Sequence, residues 1–437
     1  MNGPEARVGT PHLDWLFGLQ RFGMHPGLGR MRELLERVGS PDAALRCVLV
    51  AGTNGKGSVA RTLAACLRES GERTALYTSP HLQHVGERVQ VDALPSTEDE
   101  LEDVVARVRR AAEETGATFF EVLTAAALVR FAEAGARWAV LEVGLGGRLD
   151  ATNAVEPVLS CVTTVALDHT AILGDTVEAI AAEKAGVLRA GVQAVSGVLG
   201  PAGRVIEERA AGLGAPLVVY GREFWGEAAT LSWEGTAFTW RRVGGGEGDG
   251  MRVVSPLVGR HQVANLALGL EAARAVGVGA ATAVRAVASA RWPGRLEPFE
   301  HRGRRVVLDG AHNPAAAVAL AEAVRELEGG VAVLVFGASA DKDVRGVLAE
   351  LAPLARTVVL THAARSPRAM SPAAAAAELP PGVGAPLVAA DPERALELAM
   401  ECAGPGETVL VAGSLFLVGE ARDVLTGGPV EDRLRFQ

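Results

Sequence analysis

The run Arg46-Cys-Val-Leu-Val-Ala51 opens on one charge and continues with apolar residues alone. It has strand length, and its lack of polar alternation marks a strand buried on both faces. Gly52-Thr53-Asn54-Gly55-Lys56-Gly57-Ser58 follows at once, and Val59–Ser70 then reads as a helix. No other stretch constrains the fold as much. A strand hidden on both faces needs layers above and below it, which implies helices packed on a mostly parallel sheet. The glycines let backbone N–H groups close around phosphate oxygens, and the helix N-terminus adds a positive partial charge. Lys56 supplies a point charge for the β- and γ-phosphates, and Ser58 a hydroxyl beside phosphate or metal. The spacing departs from G-x-x-x-x-G-K-[ST], because two residues separate Gly52 from Gly55 and Gly57 precedes Ser58. The plainer alternative is a tight strand–helix turn with a surface lysine.

The same alternation continues along the chain. Trp138–Val143 and Leu159–Ala166 read as buried strands, and Thr176–Arg189 and Gln262–Val276 as helices. Pro216–Val254 differs: it is rich in β-formers and contains the flexible turn Gly244–Gly250, so it reads as a small β excursion. Trp292-Pro-Gly-Arg-Leu296 breaks the pattern and sets an expected domain boundary. Residues 1–293 then form one domain and residues 294–437 a second, smaller one. The second restarts with strands at Arg305–Asp309, Val331–Phe336, Thr357–Thr361 and Thr408–Ala412. Ala373–Ala377 reads as an alanine-rich helix. The class is α/β throughout.

Composition excludes several functions. The 437 residues are 49% hydrophobic and 22% charged, a globular balance that argues against disorder. A net charge of -9 argues against broad nucleic-acid or anionic-membrane binding, while leaving room for a local cationic pocket. Cys47, Cys66, Cys161 and Cys402 are scattered, with neither zinc-ligand spacing nor a disulfide framework. Met1–Asp14 has no apolar core of a signal peptide, and no stretch reaches the roughly 18 apolar residues of a membrane span. A soluble cytoplasmic protein is expected.

Three of the 43 basic residues are lysine (Lys56, Lys184 and Lys342), and the other 40 are arginine. A chain that uses arginine wherever a cation suffices makes each surviving lysine a candidate for chemistry. Arginine-favouring base composition explains why lysines are few but not where they sit. Glu142 stands near the end of an apolar strand, on the edge where parallel sheets bind ligands, and is suited to Mg²⁺. An acid in a solvated loop is the alternative. Asp168-His169 also follows a buried strand, although a lone histidine is more often structural. Lys184 lies on a largely apolar helix, where by itself it reads as a snorkelling surface lysine.

Taken in order, a set of motifs changes these weights. Gly52–Ser58, Thr78-Ser-Pro-His81, Leu141–Asn153, Leu167-Asp-His-Thr170, Glu183-Lys-Ala-Gly186, Pro293-Gly-Arg295 and Asp309-Gly-Ala-His-Asn-Pro314 span nearly the whole chain. Together they closely resemble the folylpolyglutamate synthase/dihydrofolate synthase branch of the Mur ligase superfamily. The resemblance implies an N-terminal P-loop ATPase domain followed by a Rossmann-like α/β domain, with the active site between them. It implies that Ser79, Glu142 and His169 bind Mg²⁺ at what are expected to be two sites. It also implies that Lys184 is carbamylated by CO₂, a reaction that needs a neutral amine and so excludes arginine. Asn265 matches a residue facing adenine, Arg295 a phosphate contact and Asp309 a ribose contact. His312 belongs near the nucleotide or the transferred phosphoryl group.

On the folate side the resemblance points to the loop Gly23, Met24, His25, Pro26, to Thr118, Phe120 and Glu121, and to Arg148, Asp150 and Ala151. Phe119 and Phe120 serve equally well as core residues. Lys342 matches a D-K-D segment, and Ser414 a turn near the amino-acid substrate. The implied reaction uses ATP to join a pteroate or folate carboxylate to L-glutamate through an acyl phosphate, by a monomeric enzyme. Bifunctional dihydrofolate synthase/folylpolyglutamate synthase activity is the favoured expectation. The rivals are another Mur-type amino-acid ligase, a P-loop ATPase acting as switch or motor, and a nucleotide-binding protein without turnover.

Overall fold

The computed structural model of the chain describes residues 10–22 and 27–428. Among them, three sheets form the framework. The largest comprises β1 (Arg46–Ala51), β2 (Thr74–Tyr77), β3 (Val89–Val91), β4 (Leu94–Pro95), β5 (Trp138–Glu142), β6 (Pro157–Val162), β7 (Ala194–Ser196) and β8 (Leu217–Val219). Its order is β4-β3-β2-β5-β1-β6-β7-β8. All neighbours are parallel except β2–β3 and β3–β4. The expected strand at Arg46–Ala51 therefore lies mid-sheet, paired to β5 and β6.

Alternation along β1 builds two cores. Cys47, Leu49 and Ala51 face one layer, and Val48 and Val50 the other. Val48, Leu49 and Val50 are 0% exposed. Burying each fully stabilises the fold by about 1.5–3 kcal/mol. The first layer includes the helices Glu98–Thr115 and Phe119–Glu133, and the second includes Lys56–Glu69 and Arg260–Ala275.

The segment Pro216–Val254 divides in two. Leu217–Val219 joins the edge of the large sheet. The rest is an antiparallel sheet of β9 (Phe224–Ser232), β10 (Gly235–Arg242) and β11 (Met251–Ser255). The third sheet comprises β12 (Glu297–His301), β13 (Arg304–Leu308), β14 (Val331–Phe336), β15 (Ala355–Leu360), β16 (Leu387–Val388) and β17 (Thr408–Ala412). Its order is β12-β13-β17-β14-β15-β16, with β12 alone antiparallel.

Two expected elements end early for visible reasons. The strand expected to reach Ala166 stops at Val162, because the next residues turn to the glycine loop. Thr53 N donates to Thr164 O (2.7 Å), and Thr163 N to Ala51 O (2.8 Å). The helix expected to reach Arg189 stops at Ala185, with Gly186 as its cap. The Ala-rich helix is present as Pro372–Ala376, with the Ser371 side chain accepting from Ala374 N. No helix among the described residues is long and apolar enough to cross a membrane.

Candidate functional site

The carboxyl ends of β1, β5 and β6 in the first half, and of β13 in the second, open onto one cleft of about 450 Å³. Parallel sheets bind ligands at this edge, where successive loops diverge. The cleft is lined by Gly52–Ser58, Ser79, Glu142, His169, Lys184, Asn265, Arg295, Asp309 and His312. Residues from seven separate motifs thus share one wall.

The glycine loop owes its shape to close approaches. Gly52 has φ +152°, and a Cβ there would sit 1.9 Å from Thr163 Oγ1. Gly55 is left-handed (φ +82°), and a Cβ on it would meet Asn265 Oδ1 at 2.3 Å. Gly57 faces the Trp292 ring, with room for no side chain at 2.8 Å. Only glycine satisfies such positions without displacing a neighbour. Thr163 and Thr164 complete the loop: both hydroxyls donate to Asn54 O, at 2.6 and 3.0 Å. Sequence reasoning gave these threonines no part. Their signal was a pair of hydroxyl residues directly after a buried strand.

Lys56 Nζ donates to Thr53 O (3.1 Å), and Lys184 Nζ to Gly52 O (2.9 Å). Two of the three lysines therefore touch one loop. Lys184 is only 3% exposed. Burial, reinforced by the charge of Lys56, lowers its ammonium from the ordinary 10.5 to about 7. Burial also lowers Lys56, against the opposing pull of Glu142 and Asp168. Glu142 is buried and pushed up by desolvation, while Lys56 and the Ser79 N–H (3.1 Å) hold it down.

Lys184 is placed by packing between glycines. A Cβ on Gly147 would lie 3.0 Å from Lys184 Cα, and one on Gly186 would lie 2.5 Å from Arg148 Cα. Arg148 N donates to Glu183 O (2.8 Å), and its guanidinium pairs with the Glu183 carboxylate (2.8 Å). The G-L-G-G-R and E-K-A-G motifs are therefore two sides of one contact.

Asp168 was given no role in the sequence reading. Lys342 Nζ donates to its Oδ1 (2.7 Å) and Asn313 Nδ2 to its Oδ2 (3.0 Å). Burial alone would raise this carboxyl, but the Lys342 hydrogen bond and charge outweigh it and hold it at about 2. Lys342 Nζ also lies 3.1 Å from His169 Nε2. The third lysine thus braces two residues of the cleft wall, Asp168 and His169. His169 has a left-handed backbone (φ 51°), a strained conformation that functional sites often retain. His312 Nδ1 lies 2.8 Å from Gly310 O. A carbonyl only accepts, so Nδ1 carries the proton and Nε2 is left bare. Burial and Lys342 lower this imidazole to about 4, so it is neutral near pH 7.

Asp309 and Arg295 organise the link between the halves. Asp309 Oδ2 accepts from Leu296 N and Oδ1 from Ala311 N, both at 2.8 Å. Arg295 Nη1 donates to Gly294 O (3.0 Å). Asn265 donates to Gln262 Oε1 (3.0 Å) and packs on the glycine loop.

Among the described residues, none of those expected on the folate side is on the cleft wall. Gly23, Met24, His25 and Pro26 lie outside the described residues. Thr118 and Glu121 form the start of the helix Phe119–Glu133, where Glu121 Oε2 accepts from Thr118 N and Oγ1, each at 2.8 Å. Arg30 pairs with that same carboxylate at 2.9 Å. Phe120 is half-buried, 5.9 Å from the Tyr77 ring and pressed on Gly144. Asp150 spends its oxygens on Leu145 N (2.9 Å) and on Thr152 N and Oγ1 (3.0 and 2.6 Å). Ala151 is buried in the first core. Ser414 caps the helix Leu415–Thr426, accepting from Phe416 N at 3.2 Å.

The donor set suits a hard cation that keeps much of its own shell. Among the described residues no group of three His, Cys, Asp or Glu side chains converges. The Glu142 carboxylate, the Ser79 hydroxyl and the His169 imidazole do line the cleft with the phosphate loop. Mg²⁺ characteristically binds through one or two carboxylates plus phosphate oxygens and waters. The residues present fit it.

Comparison with known proteins bears on the same regions. Residues 50–273 match the Mur ligase middle domain, and residues 294–415 the Mur ligase glutamate ligase domain. The chain is 33% identical over 433 residues to the folylpolyglutamate synthase of Lacticaseibacillus casei, covering 96% of this chain and 99% of that one. It is 41% identical over 435 residues to a probable bifunctional folylpolyglutamate synthase/dihydropteroate synthase of Haloferax volcanii, covering 95% of this chain and 50% of that one. The chain thus spans about half the length of its Haloferax and Halobacterium relatives. A solved structure of Escherichia coli FolC in complex with DHPP and ADP superposes with a TM-score of 0.86, at 32% identity and over 97% of this chain and 99% of that one.

Proposed function

The chain belongs to the Mur ligase family, in its folylpolyglutamate/dihydrofolate synthase branch, and on that premise we propose that it joins L-glutamate to a pterin-type carboxylate at the expense of ATP. The observation that carries this reading is that all three lysines serve one two-sided cleft: Lys56 and Lys184 line it, and Lys342 holds its wall residues Asp168 and His169. A phosphate loop alone would serve a switch or a motor. Here the same wall also holds Glu142, and the second half adds His312, Asp309 and Lys342.

The proposed sequence is short. The acceptor carboxylate attacks the γ-phosphorus of ATP, ADP leaves, and an acyl phosphate forms. The glutamate amine then attacks the acyl carbon, and phosphate departs with one carboxylate oxygen. Lys56 and the backbone N–H groups of Gly52–Ser58 neutralise charge on the transferring phosphoryl group. Ser79, Glu142, His169 and a carbamylated Lys184 would hold Mg²⁺, which when bound shields two anions that must meet. An amine lowered to about 7 is largely neutral at slightly alkaline pH, the state that reacts with CO₂. His312 would sit near the transferred phosphoryl, with Asn265, Arg295 and Asp309 on the nucleotide. Gly23–Pro26, Thr118, Phe120, Glu121, Arg148, Asp150 and Ala151 would shape the pterin side, and Ser414 the glutamate side. Holding the reactants across two domains, 1–293 and 294–437, lowers the entropic barrier. A monomer in the cytoplasm completes the proposal, and three buried, unpaired cysteines suit a reducing compartment.

The test is Mg²⁺-dependent ADP release with L-glutamate and, in turn, no acceptor, dihydropteroate, tetrahydrofolate or a murein precursor, with mass analysis of products. A one-glutamate gain on dihydropteroate and on tetrahydrofolate supports a bifunctional enzyme. Gain on the murein precursor alone, or ADP release with no gain anywhere, contradicts it.

A further inference from the structure

Asp168 belongs to the first half, yet its side chain is held from the second. Lys342 Nζ donates to Oδ1 at 2.7 Å, Asn313 Nδ2 donates to Oδ2 at 3.0 Å, and His312 Nε2 lies 3.9 Å from Oδ2. The carboxylate and the ammonium are nearly dry, with side chains 10% and 12% exposed. Removing either partner of such a pair leaves an uncompensated charge.

Asn313 ties this pair to the phosphate loop. Its Nδ2 also donates to Asn54 Oδ1 (3.1 Å), and its Oδ1 accepts from Asn54 Nδ2 (3.2 Å) and from Ala316 N (2.9 Å). The amide therefore uses both donors and both lone pairs, and the helix cap fixes which end is which. One first-half carboxylate, one loop asparagine and two second-half side chains, Asn313 and Lys342, form a single connected network, which the neutral His312 ring flanks without a hydrogen bond.

We propose that Asp168 is a positioning residue: it fastens the second half over the phosphate loop and holds Lys342 and Asn313 at the reacting edge. This rests on the ligase reading for its kinetic consequence, but not for its structural one. Asp168 need touch neither nucleotide nor acceptor. Its effect is on the distance between groups that each half contributes, and misplacement of about 1 Å can cost roughly 10²-fold in rate.

The experiment compares Asp168→Asn, Lys342→Met and the double variant with the wild-type chain. Three quantities are read: kcat for ADP release, ADP affinity by calorimetry, and X-ray scattering with saturating ADP and Mg²⁺. Each single variant is expected to lose roughly 10²-fold in kcat, to keep ADP affinity within about threefold, and to scatter as a more extended particle. The double variant should be no slower than the slower single one, because both substitutions break one contact. Multiplying losses, an unchanged kcat, or lost rate without any change in scattering would overturn the proposal. A lowered melting temperature with wild-type kcat would also overturn it, since the pair would then serve stability alone. If the wild-type chain ligates no acceptor, the ligase reading fails, and scattering still decides whether Asp168 holds the halves together.

Discussion

At the scale of single residues, the lysines carry the account. Arginine stands almost everywhere a cation is needed, and of the three exceptions two line one cleft while the third braces its wall at Asp168 and His169. Lys56→Arg keeps the charge but replaces a compact ammonium with a planar fork. It should lose nearly all ADP release, and a variant with near-normal turnover would remove the argument from lysine scarcity. Lys184 titrates at about 7 when folded and at an ordinary 10.5 when exposed. The unfolded chain thus holds more protons between those values, and stability rises with pH across the window, by at most about 1.4 kcal/mol per pH unit. Lys184→Met should abolish ligation, retain ADP binding and flatten this slope, which urea titrations from pH 7 to 9 would measure. The lysines were legible in the sequence because composition singled them out. Asp168 was not, because its partners Asn313 and Lys342 lie 145 and 174 residues away.

At the scale of elements, the strand–loop–helix unit was readable because each part obeys a local rule: an apolar strand, glycines at the turn, then a helix. What the sequence did not announce was how tightly the loop is enclosed. A Cβ on Gly52 would collide with Thr163, at a backbone φ that side chains rarely adopt. Gly52→Ala should therefore destabilise the fold by about 1–3 kcal/mol and weaken nucleotide binding, seen as a lower urea midpoint and a raised Kd for ADP. Gly71→Ala is a useful contrast: it has a left-handed backbone (φ +87°) but nothing within 4 Å, so it should lose stability without losing ADP affinity. Short strands such as β2, β3 and β7 escaped notice, since three or four residues show no period. Asp150 and Glu121 illustrate the opposite limit. Their positions were flagged by resemblance, and the structure shows their carboxylates engaged in local turns and caps.

At the scale of the whole molecule, the site exists only because two sheets present their carboxyl ends to each other. The first contributes the phosphate loop, Glu142 and Lys184, and the second Asp309, His312 and Lys342. Ordered motifs along the chain indicated this division, but the convergence of Asp168, Asn54 and Asn313 requires the folded arrangement. The proposed ligation places two reactants in this cleft, whereas simple hydrolysis would need one. Transfer of carboxylate oxygen tests that most directly. With ¹⁸O in the acceptor carboxylate, ATP, Mg²⁺ and L-glutamate, the phosphate released should carry one labelled oxygen per turnover. Phosphate whose new oxygen comes from water would contradict the acyl-phosphate account and leave an ATPase in its place.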